Sequence, residues 1–185
     1  MEADWEVEIG GSAPVIDAHW PGLVDLRREL ERAWHLAETR QLPALGEALI
    51  RLNAPDSTVW TSKCDVFVPE QVDPDELDAP VGCGCAITCY IDLLPRNEER
   101  WEMCDDAVSA CRGICERLRS VALRGCRADL VIRQAMLAGG KEGFGVTAYI
   151  MAVGQDTSSA EQTLAAALGA FADAAGTPRA PEGAA

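Results

Sequence analysis

The chain has 185 residues, 48% of them hydrophobic, and a formal net charge of −14 at pH 7, which fits one globular domain with a sizeable interior. Thirty acidic residues against sixteen basic ones repel phosphate backbones, and no Lys/Arg stripe with interleaved aromatics offsets them, so nucleic acid is excluded as a partner and a basic protein is compatible. No apolar run nears membrane-spanning length and the opening MEADWEVEIGG lacks the n- and h-regions of a secretory signal, so no membrane partner and a cytoplasmic location are expected.

Residues 5–9 (WEVEI) alternate large apolar residues with Glu at the period of a strand. GGSAP reads as a turn, after which residues 15–20 return as a second strand. Residues 21–41 mix helical spacing at Leu26, Leu30 and Trp34 with an early Pro-Gly, so a short helix or irregular segment is expected. Leu42, Leu45, Leu49 and Leu52 then predict a helix over 42–52. This N-terminal part reads as a worn β-β-α unit.

Two clearer units follow. Residues 62–68 (SKCDVFV) and 86–94 (AITCYIDLL) predict a hairpin, which returns as residues 126–132 (CRADLVI) and 145–153 (GVTAYIMAV). The first hairpin holds an acidic insertion with Glu70, Asp73, Asp75, Glu76 and Asp78. It lacks the turn glycine and distal Glu of an EF-hand, and a solvated loop is expected. After the first hairpin, residues 98–121 place Trp101, Cys104, Val108, Cys111, Cys115 and Leu118 on one helical stripe. After the second, a helix over 158–174 turns Leu164, Leu168 and Phe171 inward, with Ser158 and Glu161 as its capping box.

The predicted class is α+β: two layers, a mainly antiparallel sheet of four to six strands with helices on one face, built from duplicated β-β-α units. One domain covers residues 1–175, with parts at 1–57, 58–122 and 123–175, and residues 176–185 read as a disordered tail.

Eight cysteines raise the question of a metal or disulfides. Folding the 98–121 helix back over the preceding strand brings Cys111 level with Cys89 and Cys115 with Cys85, four thiols in one layer. No C-x2-C knuckle is present, and Cys85 and Cys89 are about 13 Å apart along a strand. The second unit fills the same positions without sulfur, so the cysteines are expected to be small core hydrophobes, with no metal and no cofactor. Signatures for nucleophilic, metal-hydrolytic or phosphate-binding chemistry are absent, and no catalytic residue is assigned. Asp17 shares strand parity with His19, an arrangement that orients an imidazole, but no nucleophile accompanies them; His35 reads as solvated.

The candidate site is the sheet face away from the helices. Strand alternation puts Lys63, Asp65, Phe67, Thr88, Tyr90, Asp92, Arg127, Asp129, Arg133, Thr147, Tyr149 and Met151 there. Tyrosines, a phenylalanine and a methionine among charges make a contact-surface composition. Competing with that reading, Lys63–Asp65 and Arg127–Asp129 pairs simply hold sheet register. The expected function is a non-catalytic binding or assembly domain that docks a protein partner or a second subunit on this face. The alternative is a small-molecule binder or enzyme with Asp65 or Asp129 as acid–base group and Tyr90 or Tyr149 as donor.

Overall fold

The computed structural model describes residues 1–8, 10, 14–69, 72 and 77–177, and only the backbone of Glu98 and Glu99. Expectations for Ile9, for much of the GGSAP turn, for most of the acidic insertion and for residues 178–185 lie outside the described residues.

Six strands form one mixed sheet: β1 (Glu2–Glu8), β2 (Ile16–Asp17), β3 (Val59–Phe67), β4 (Cys85–Pro95), β5 (Cys126–Met136) and β6 (Glu142–Gly154). The order is β1-β5-β6-β4-β3, and β2 also pairs with β5. The two hairpins β3–β4 and β5–β6 meet antiparallel through β4 and β6. Both N-terminal strands run parallel to β5, Glu2–Glu8 beside Arg127–Arg133 and Ile16–Asp17 beside Ala135–Met136.

This corrects the expectation of a returning second strand. The eleven-residue β5 offers an outer edge long enough for β1 and β2 in succession. Amides of Val15 and Ala18 donate to the Gln134 and Met136 carbonyls, so the chain continues along that edge. The N-terminal third thus has two strands followed by a helical segment, but its strands form a sheet margin rather than a hairpin.

The helices α1 (Ala37–Gln41), α2 (Pro43–Asn53), α3 (Cys104–Arg119) and α4 (Thr157–Gly176) follow from their sequences. Pro43 starts α2 at a position where its missing N–H costs no helical bond. Leu45, Leu49 and Leu52 form its buried stripe. A short 3-10 turn over Glu98–Trp101 delays α3 relative to the expected start. On α4 the cap is Asp156, whose carboxylate accepts from the Ser159 amide at 2.7 Å while the Ser159 hydroxyl accepts from the Asp156 amide at 3.0 Å. The capping box is therefore Asp156 with Ser159, not Ser158 with Glu161, because Asp156 is the last extended residue. Gly154, just before it, has no room for a side chain: a Cβ there meets the Ala160 nitrogen and Ser159.

α2 lies over β3, α4 over β4–β6 and α3 against β1, β5 and β6, all on one side. Ile91, Leu93, Leu130, Ile132, Leu118 and Phe171 close the core between them.

The opposite face is not bare. At one end Ile16, Ala18, Trp60, Leu94, Ala135 and Leu137 form a second apolar cluster. The segment leaving β2 crosses that end, where the Ser62 hydroxyl donates to the Asp17 carbonyl at 2.7 Å and Trp20 Nε1 donates to the Ser62 carbonyl at 3.2 Å. The Arg27 guanidinium lies 3.7 Å from the Trp60 ring centroid and pairs with Asp25. Among the described residues no helix is long and apolar enough to cross a membrane.

Candidate functional site

The uncovered part of this face is organised by register. Asp65 stands opposite Tyr90, Tyr90 opposite Tyr149, Tyr149 opposite Asp129, and Asp129 opposite Asp4, one row across five strands. At its centre the two tyrosine rings lie 6.1 Å apart, tilted by 51°. A neighbouring row runs Phe67, Thr88, Met151, Arg127. On the other side Asp92 faces Thr147, and an irregularity between Thr61 and Cys64 brings Ser62 and Lys63 alongside.

The structure brings the expected residues onto one face but not to one depth. Thr88, Asp92 and Thr147 are buried, Phe67 is 39% exposed and Asp65 is exposed. Asp92, at 6% exposure, accepts one hydrogen bond from the Thr147 hydroxyl at 2.6 Å. Burial raises its carboxyl above the usual range, opposed by the Thr147 bond and by the positive charges of Lys63 and Arg133. Asp92, the buried carboxyl of this face, was not one of the two aspartates expected to act as acid or base. Tyr90 is also pushed up, first by burial and then by the charges of Asp92 and Asp65.

Arg133 ties the second hairpin together. Its Nη1 donates to Thr147 Oγ1 at 3.3 Å and to the Tyr149 hydroxyl at 3.2 Å, and its Nε and Nη2 donate to Glu8 at 2.9 and 2.7 Å. Arg127 Nε donates to Asp129 at 2.7 and 2.9 Å. The expected register pair is therefore made on the second hairpin. On the first it is not: Asp65 accepts from the Val66 amide at 2.7 Å, and the Lys63 ammonium stands 5.4 Å from the Trp20 ring centroid.

Sequence reasoning missed Glu8 and Trp20. Glu8 had a signal, the alternation of the first strand, but its neighbour depended on a parallel pairing with β5. Trp20 was assigned to a strand, and only the crossing of the 14–28 segment places it beside Lys63.

A cleft of about 330 Å³ opens along the free edge of β3. Val24, Leu26, Leu36 and Leu49 line its apolar side, with Trp20, Glu38, Lys63 and Tyr90 around them.

The four-thiol layer does not form, because α3 passes beyond β4 to pack on β1, β5 and β6. All eight cysteines are unpaired, and Cys89, Cys111, Cys115 and Cys126 are buried. Burial pushes the Cys64 thiol up to about 12 and Cys115 to about 11. Among the described residues no three His, Cys, Asp or Glu side chains are grouped to hold a metal ion. Asp17 does not orient His19, since its carboxylate accepts from the His19 backbone amide at 2.7 Å.

Comparison with protein-family models, curated proteins and solved structures finds no significant match for this chain.

Proposed function

We propose that this protein is a non-catalytic binding or assembly domain that docks a protein partner or a second copy on the row centred on Tyr90 and Tyr149. The observation that supports this most is the tyrosine pair itself. Two half-buried rings lie side by side in the middle of the sheet, with half-exposed Phe67 in the next row and Asp65 at the margin. Aromatic rings inside a polar rim are what interface centres use, because they bury large area for few frozen torsions. A cytoplasmic setting belongs to the same reading, supported by eight unpaired thiols.

We infer in addition that the two hairpins descend from one duplicated unit. Support comes from the register: each sets its aspartate opposite its tyrosine, Asp65 with Tyr90 and Asp129 with Tyr149. A partner therefore meets an approximately two-fold surface, the geometry suited to a second copy of the chain.

Light scattering on the native protein and on a Tyr90→Ala/Tyr149→Ala variant tests the docking face. A native dimer that the variant dissociates supports self-association. A dimer of unchanged mass in the variant removes this face from the assembly. A monomer in both cases restricts the proposal to a foreign partner.

A further inference from the structure

We propose that the cleft along the β3 edge is a binding site for a small zwitterion with an apolar body, of the class of free α-amino acids with apolar side chains. This goes beyond docking on the tyrosine row. It accounts for two charges that enter no ion pair among the described residues.

Lys63 and Glu38 are both half-buried, and both line the same cleft. Among the described residues neither enters an ion pair, although nine other basic side chains do. They also do not pair with each other, so the cleft keeps a positive and a negative group apart. Opposite charges held apart at the rim of an apolar hollow are poorly solvated, and a ligand carrying both signs satisfies both at once. Its carboxylate meets the Lys63 ammonium and the Tyr90 hydroxyl, which has no hydrogen-bond partner among the described residues; its ammonium meets Glu38, with Asp65 at the mouth. Val24, Leu26, Leu36 and Leu49 then receive the side chain, and Trp20 forms a wall. The volume, about 330 Å³, is at the small end of ligand pockets, which span about 300–1,000 Å³. That size favours a molecule of amino-acid dimensions over a nucleotide or an oligomer.

The test is titration calorimetry of the full chain with L-leucine and L-phenylalanine, and with two analogues of the latter: phenylalanine amide, which lacks the carboxylate, and N-acetylphenylalanine, which lacks the ammonium. At least one free amino acid should bind saturably, and phenylalanine should bind about tenfold or more tightly than either analogue. Lys63→Met should abolish the preference over the amide, and Glu38→Gln the preference over the N-acetyl form. Absence of saturable binding by either amino acid to the native protein overturns the proposal. So does an analogue that binds as well as its parent, or a preference that survives both substitutions. The titrations leave the tyrosine pair intact, so failure here leaves the docking proposal standing.

Discussion

The hairpins β3–β4 and β5–β6 present corresponding side chains in corresponding register, yet their chemistry differs at each position. Arg127 grips Asp129, while Lys63 leaves Asp65 to its own backbone. Tyr149 accepts from Arg133, while Tyr90 has no such donor among the described residues. Thr147 donates to Asp92 and accepts from Arg133, while the Thr88 hydroxyl is buried with no partner. The cause is position in the sheet. β5 is flanked by β1, which brings Glu8 within reach of Arg133, whereas β3 ends the sheet. A register shared by two hairpins fixes where side chains stand; the neighbouring strand decides which charges find a partner.

The largest effect is expected where the second hairpin enters its helix. Gly154→Ala drives a methyl into backbone that cannot yield, and denaturant unfolding should register a loss of about 3 kcal/mol or more. The first hairpin has Pro95 at its end, followed by Arg96, which donates to the carbonyls of Asn53, Ala54 and Ser57 at 2.8–3.0 Å. Arg96→Ala unties β4 from the end of α2 and should cost about 2 kcal/mol in the same measurement. The threonines sharpen the contrast most directly. Thr147→Val should destabilise by about 1–2 kcal/mol, whereas Thr88→Val should be neutral or stabilising, since it removes a buried hydroxyl that bonds to nothing. Equal losses at both would break the comparison.

The smallest effect concerns pH. Because Asp92's carboxyl is raised in the folded state, the unfolded chain loses that proton first as pH rises from the ordinary value of 3.8. Folding stability therefore falls through the window between 3.8 and the raised folded value, and the penalty is complete above it. Asp92→Asn should flatten stability through that window and leave the variant at least as stable as the native chain above it.

Much of this was readable before the structure. Period-two runs at Cys85–Pro95 and Glu142–Gly154 and the three-four spacing of Cys111, Cys115 and Leu118 fix strands and helix by local geometry alone. The contents of the sheet face followed from parity. What stayed hidden depended on partners distant in sequence. Nothing in Ile16–Asp17 announces a parallel neighbour at Ala135–Met136, and nothing in Trp20 announces Ser62. The depth of Asp92 was equally illegible, since alternation assigns a side to a residue but not the cover above it. The thiol layer failed for a related reason: helix rise places cysteines along an axis, whereas the strand under that axis is a choice of topology.

The seam between β1 and β5 sets a problem for the ribosome. β1 is translated before β5, and the β3–β4 hairpin and α3 are made in between, so β1 waits without its hydrogen-bonding neighbour while they emerge. A waiting strand with Ala3, Trp5 and Val7 on one side is a nucleus for aggregation. Glu2, Asp4, Glu6 and Glu8 occupy each alternate position and remain exposed in the finished fold. Charges at alternate positions are the pattern that disfavours pairing of an open strand with other copies before its neighbour is made.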